Sequence, residues 1–136
     1  MDFEKLKQFR NKHNPFAKKL GIEVEEIREG YARAVKTVQP DEVNPSTTAH
    51  GGVYFTLADV VTGAASSAHG VYTATVSADY HYLRACHAGD TLTAVAKETK
   101  RGRTLCVYDV ELTDQNGKLM GTGTFTYFLK DKPLDL

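Results

Sequence analysis

The chain has 136 residues, 41% hydrophobic and 25% charged, which fits one folded domain and is too apolar for a disordered segment. Seventeen basic and seventeen acidic residues cancel, so no global field argues for DNA, RNA or an anionic membrane, and any anionic ligand has to be met by a local cluster. No run of about 18 apolar residues occurs, so no membrane-spanning helix is expected.

In chain order, Phe3, Leu6 and Phe9 fall at helical spacing with lysines between them, which predicts a short amphipathic helix over residues 2–13. The same stretch is charged throughout and lacks an apolar signal core. Asn14-Pro15 is expected to end the helix. GIEVEEIRE and YARAVKTVQ alternate apolar and polar positions on either side of Gly30, the pattern of two strands joined by a tight turn. Pro40 and Pro45 bracket a loop. A long helix is predicted from about His50 to Ser67, with Val53, Leu57, Val60, Val61, Ala64 and Ala65 forming a broad apolar stripe. Ser46, Thr47 and Thr48 stand where an N-cap is expected, and Gly70 supplies a stop.

Four extended runs follow: VYTATVSADYHYL, TLTAVAKETK, TLCVYDVELTD and KLMGTGTFTYFLK. Arg101-Gly102 and Asn116-Gly117 fall at joints, and the second is a strong hairpin signal. One long helix, one short N-terminal helix and about six strands, mostly hairpin-connected, predict an antiparallel sheet wrapped around the long helix, an α+β fold. No repeat or linker divides residues 1–136, which are expected to form one domain. Cys86 and Cys106 show no CxxC or metal-type spacing and are expected to be buried and reduced. With the charged N-terminus, this predicts a cytoplasmic protein.

The stretch NPSTTAHGGVYFTLAD, residues 44–59, puts two glycines at the predicted helix start and an acid in its middle. A helix start offers free N–H groups and a partial positive charge, and glycine there lets a ligand approach the backbone. Close helix–sheet packing explains the glycines equally well on pattern alone. Asp59, amid VYFTLADVV, is expected to be poorly solvated. Burial without a partner is costly and raises a carboxyl pKa, which improves it as a base. The alternative is an acid on the outer helix face, and the helical wheel does not decide.

Over nearly its whole length this pattern resembles the hotdog-fold thioesterases, and within them the phenylacetate-pathway (PaaI-like) acyl-CoA thioesterase group. The residues that carry the resemblance are Asn44 six before His50-Gly51-Gly52, Asp59 within LAD, the VSADYHYLRACHAGDTLTA stretch and GTGTFTYF near the end. Two positions depart from the family, which usually has Asn at the place of Asp79 and often Pro at that of Ala85. The resemblance implies hydrolysis of an aromatic or short-to-medium acyl-CoA to the acid and coenzyme A, which is substrate and not cofactor. No other cofactor and no metal is expected.

Thioester hydrolysis needs donors for a developing oxyanion and a nucleophile for the carbonyl carbon. The resemblance assigns the first to Gly51, with Gly52 keeping the turn slim, and the second to Asp59 as base or nucleophile. Gly51 and Asp59 are eight residues apart, about 12 Å along a helix axis and about 80° around it. The reacting carbon has to sit about 3 Å from both. One straight helix cannot do this, whereas two antiparallel helices from two chains can. A two-fold dimer is therefore expected, with Gly51 of one chain facing Asp59 of the other; the family arrangement often pairs dimers into tetramers.

Asn44 is read either as orienting water or thioester, or as a turn residue before Pro45. Thr75 matches a family position where a hydroxyl holds the water or carboxylate, and is otherwise an ordinary strand residue. His50 is expected to brace the loop. Arg84, Lys100, Arg101 and Arg103, at strand ends, are candidates for the phosphates of coenzyme A, or are solvated tips. Asp79 is a further candidate on the substrate. Tyr54, Phe55, Tyr80 and Tyr82 are read as an aromatic pocket or as core. His13, His69, His81 and His87 lack ligand spacing. The competing functions are a hotdog enoyl-CoA hydratase and a non-catalytic acyl-CoA-binding module. The first is opposed by the long gap between Asn44-Pro45 and His50.

Overall fold

A helix that is apolar all the way round has to be covered on every side. In the computed structural model, which describes residues 1–136, the long helix Gly51–Ser67 packs against all six strands of one sheet, and residues 60–67 meet that demand by being buried all round while Gly52 and Phe55 stay exposed. Val53, Leu57, Val61 and Ala64 are buried, as are Thr62, Ser66 and Ser67. The three hydroxyls stay satisfied by bonding back to the carbonyls of Ala58, Gly63 and Ala64 at 2.8, 2.8 and 2.6 Å. No helix is long and apolar enough to cross a membrane.

Two short helices precede the sheet. Helix α1 spans Phe3–Lys12, with Asp2 capping its N-terminus. Asn14-Pro15 ends α1, as expected, but it also begins a helix that the sequence reading did not anticipate, α2 (Pro15–Lys19). Asn14 caps α2 by accepting from the Ala17 N–H, and Pro15 takes the first-turn position where its missing N–H costs nothing. The long helix is α3.

The strands are β1 (Glu23–Arg28), β2 (Tyr31–Thr37), β3 (Val71–Tyr82), β4 (Thr91–Arg101), β5 (Leu105–Thr113) and β6 (Leu119–Pro133). They pair antiparallel in the order β1-β2-β4-β5-β6-β3. The expected hairpins form: Gly30, at φ 70°, turns β1 into β2, and Asn116-Gly117 turns β5 into β6 with Gly117 at φ 77°. Asp114 Oδ1 holds the second turn by accepting from the Asn116 and Lys118 N–H groups. Strand β3 does not form a hairpin with β4. Both edges of β4 are taken by β2 and β5, so β3 pairs with the open edge of β6 and becomes an edge strand itself.

The loop between β2 and α3 hangs on one buried ion pair. Lys36 is an inward position of β2, only 2% exposed, and its Nζ lies 2.7 Å from Glu42 Oε1. Glu42 in turn accepts the Gln39 N–H through its side chain and the His50 N–H through its carbonyl. A buried pair that loses one partner leaves an uncompensated charge. Lys36→Ala is therefore expected to lower unfolding free energy by about 3 kcal/mol, read from denaturant melts, and to leave the entry into α3 more mobile than in Lys36→Met, Glu42→Leu together.

Candidate active site

The start of α3 is built by the segment before it. Val43 and Ala49 form an antiparallel bridge that closes the loop. Inside it, Asn44 Oδ1 accepts from the Ser46 and Thr48 N–H groups at 3.0 and 3.2 Å, and its Nδ2 donates to Thr48 Oγ1 at 2.9 Å. Thr47 holds φ 64°, a left-handed conformation unfavourable for a β-branched residue. These contacts consume Ser46, Thr47 and Thr48, so none of them caps the helix as the sequence suggested. The cap is His50: its Nδ1 accepts from the Gly52 N–H at 2.8 Å, and its carbonyl accepts from the Val53 N–H. His50 thus braces the loop, as expected.

That arrangement selects one free donor. Gly52 and Val53 are occupied by His50, while the Gly51 N–H has no acceptor within the chain. It stands at the positive end of α3 and borders a cleft of about 370 Å³ lined by Asn44, Thr48, Tyr54, Tyr82, Leu83 and Arg84. A Cβ at Gly51 would come within 3.3 Å of the Tyr82 ring, and one at Gly52 within 3.0 Å of His50 Nδ1. Both glycines therefore serve close approach, of aromatic ring and of cap respectively, as well as keeping the backbone open.

Two turns further along α3, Asp59 is neither an unpartnered buried acid nor an acid on the outer helix face. It is half-buried, and its Oδ1 accepts from Thr75 Oγ1 at 2.9 Å and from the Tyr127 hydroxyl at 2.7 Å. Both hydroxyls converge on the same oxygen, which leaves Oδ2 without a partner in the chain. Thr75 comes from β3 and Tyr127 from β6; the pairing of those strands sets the two residues side by side. Burial, and then the Asp59 charge, push the Tyr127 phenol well above its ordinary pKa, so it remains a donor at every relevant pH.

Tyr127 was missed in the sequence reading. The signal was its place in the alternating run GTGTFTYF: an inward tyrosine on a central strand needs a hydroxyl partner in the core. Arg10 was missed too. It lies four residues after Leu6 and seven after Phe3, on the apolar stripe of α1, and it lines a cavity of about 150 Å³ together with Asp59, Thr75 and Tyr127.

Other candidates are placed elsewhere. The basic residues do not form one cluster in the chain. Arg84 borders the cleft at the start of α3, whereas Lys100, Arg101 and Arg103 lie at the far end of β4, about 30 Å away at strand rise, and Arg101 is paired with Glu29 at 2.9 Å. Antiparallel strands send successive joints to opposite ends of the sheet, which sequence proximity conceals. Asp79 is exposed, pairs in register with Thr124 and lies 3.7 Å from His81, on the sheet face away from α3. Of the aromatic residues, Tyr54 and Tyr82 line the cleft, and Tyr80 packs over Gly121 and Gly123, where a Cβ would clash with its ring.

His69 lies near Glu98 and Cys106, with their ligand atoms within 4.8 Å, but Glu98 Oε2 already accepts from Tyr108 and is bonded to His69 at 2.7 Å, a satisfied buried network. Burial pushes both cysteine thiols above their ordinary pKa, consistent with the inert thiols expected.

An antiparallel sheet wrapped around one central helix, with a free helix-start donor and a hydroxyl-held carboxylate, defines a hotdog-fold enzyme. The sequence profile of the thioesterase superfamily matches residues 47–120. The acyl-coenzyme A thioesterase PaaI of Escherichia coli is 36% identical over 102 residues, 75% of this chain and 73% of that protein. The structure of E. coli PaaI superposes with a TM-score of 0.92 at 29% identity, covering 95% of this chain and 94% of that one. A hypothetical thioesterase of Streptococcus pneumoniae, determined with coenzyme A, is 33% identical with a TM-score of 0.79, covering 83% of this chain and 88% of that one. The chain belongs to the thioesterase superfamily and is a thioester hydrolase of the PaaI-like hotdog type.

Tyr127→Phe keeps the ring and removes one of the two donors on Asp59. It is expected to lower kcat for thioester hydrolysis about 10-fold with little change in KM. A fall in KM affinity with kcat intact would show that the hydroxyl serves binding instead.

Proposed function

We propose that the protein hydrolyses the thioester of an acyl-CoA at a seam between two protomers. Gly51 of one chain stabilises the oxyanion, and Asp59 of the other supplies the nucleophile. The observation that carries this reading is the pairing of a free Gly51 N–H with a held Asp59 carboxylate that the same helix keeps about 12 Å apart.

The edge strand supports the seam. Strand β3 is unpaired along one side, and Thr75 to Asp79 are exposed, with Val76 at 56%. Long exposed edges invite pairing with another strand. Thr75 touches Asp59, and Tyr82 lies against Gly51. If β3 pairs antiparallel with its copy about an axis at Ala78, Thr75 of each chain comes within one residue of the register of Tyr82 of the other. Each Asp59 then faces the partner's helix start, and two equal sites result.

In each site the carbonyl oxygen accepts from Gly51, whose donor is already in place as charge develops. Asp59 Oδ2 takes a proton from water, or attacks the carbon itself, while Thr75 and Tyr127 hold Oδ1. The new C–O bond forms and the C–S bond breaks, and the thiolate of coenzyme A leaves to be protonated; where Asp59 has attacked directly, water then cleaves the mixed anhydride to release the acid and restore the carboxylate. Arg84, at the mouth of the cleft beside Gly51, suits an amide carbonyl of the pantetheine arm.

The S. pneumoniae relative adds support. Two of its structures carry alanine in place of an aspartate and of a threonine sixteen residues apart. Asp59 and Thr75 have that same separation here.

Asp59→Asn is expected to reduce CoA release by about 1,000-fold or more while coenzyme A still binds. Hydration of an enoyl-CoA by the native protein, with no thiol released, would overturn the hydrolase mechanism. The seam is tested by complementation. Gly51→Pro removes the N–H at the first helical position, where proline fits, and should be inactive alone. Mixed with Asp59→Asn, it should recover about a quarter of native activity, because half of randomly paired dimers then hold one intact site of two. No recovery in verified mixed dimers would refute a shared site.

A further inference from the structure

Arg10 is the one cation in the chamber of Asp59, and its guanidinium is unsatisfied. Its Nε is fully enclosed and has no hydrogen-bond partner. No carboxylate forms an ion pair with it. Burial lowers its pKa, and the nearby Tyr127 and Asp59 oppose that shift. Arg10 is half-buried, and a guanidinium whose Nε is enclosed without a partner is costly, yet the fold makes room for it. Gly63, one turn after Asp59, sits in the middle of α3, where glycine costs about 1 kcal/mol relative to alanine. A Cβ there would come within 3.0 Å of Arg10 Nη2 and 3.4 Å of the Tyr127 hydroxyl.

The mounting of Arg10 is also fixed. Next to it, Asn11 donates to the Val24 carbonyl and accepts from the Val24 N–H, both at 2.9 Å, which locks the rotation of α1 against β1. Arg10 and Asn14 line both the small cavity containing Asp59 and a second one of about 580 Å³ with Phe9, His13, Tyr72 and Asp135, whose carboxylate makes no ion pair with Arg10.

With the attacked carbon at Asp59, Arg10 lies about 6 Å further along α3, at the level of Gly63. The phosphates of coenzyme A are a whole pantetheine arm from the sulfur, too far to share this small chamber with the carbonyl. The group that reaches Arg10 is therefore the acyl group.

We propose that Arg10 selects the acyl group, and that the preferred substrates are thioesters of short dicarboxylic acids whose free carboxylate pairs with it. This rests on the acyl-CoA thioesterase reading above. An acyl chain of a few carbons spans the gap, and its far carboxylate supplies the missing acceptor in a charge-assisted pair.

Glutaryl-CoA and pentanoyl-CoA have equal chain lengths and differ in that carboxylate. The native protein should favour glutaryl-CoA in kcat/KM. In Arg10→Met the glutaryl-to-pentanoyl ratio should fall roughly 10- to 100-fold, the worth of a hydrogen bond to a charged group, with Arg10→Lys in between. Glutarate should raise the Tm of the native protein and not that of Arg10→Met. Equal losses on both substrates would overturn the proposal, leaving Arg10 as a counter-charge for Asp59. So would a native preference for pentanoyl-CoA. Hydrolysis of neither thioester would defeat the acyl-CoA reading instead, and the glutarate shift would still decide for or against Arg10.

Discussion

A helix has only one start, and that limit organises the whole molecule. The free donor at Gly51 exists because helix-start amides have no partner within the helix. The carboxylate at Asp59 is two turns downstream on the same rigid rod. Neither can move to the other, so the proposed chemistry requires a second rod, and the open edge of the sheet is the surface that would bring it. Strand β3 carries Thr75, which holds Asp59, and Tyr82, which backs Gly51. The two halves of the chemistry are thus spelled out along one exposed strand.

The core explains why the donor and acid are so firmly set. A helix surrounded by sheet cannot tilt without moving every strand. Its buried hydroxyls at Thr62, Ser66 and Ser67 turn inward to their own backbone, which lets small residues pack closely without leaving orphaned polar groups. Tyr127 extends the same logic. Its ring fills core space, and its hydroxyl links the buried Thr62 to the half-buried Asp59. Packing precision is passed to the carboxylate through one rigid aromatic ring.

Most of the architecture was legible in the sequence because it follows from period and punctuation. The two-residue alternation of β1, β2, β4, β5 and β6, the glycine at the β1–β2 joint and Asn116-Gly117 each correspond to an observed element. What the sequence did not display was spatial order. Nothing local in VYTATVSADYHYL says that it pairs with β6 and not β4; that follows from which edges other strands leave open. The same blindness made Arg84 and Arg101 look like neighbours. Asp59, Thr75, Gly51 and His50 were legible as site candidates through the family pattern. Tyr127 and Arg10 were not, because each lies in another element and meets Asp59 only after folding. The helix cap was misplaced for a different reason: three hydroxyl residues suited capping, but Asn44 had already claimed them.

Three positions where the chain breaks its own local rules lie around this chamber or lead into it. Thr47 holds a left-handed backbone just ahead of the helix start. Gly63 interrupts the middle of the best helix in the chain. Arg10 places a cation on an apolar stripe and leaves its Nε unmet. Each costs stability where a more ordinary residue would not. Such conflicts persist where the surrounding structure over-determines them and function requires them. The Thr47 turn fixes the loop that delivers Gly51, and Gly63 admits Arg10 beside Asp59. The two distortions thus act on opposite ends of the same helix, one shaping the start where Gly51 keeps a free N–H and the other the chamber where Arg10 meets Asp59.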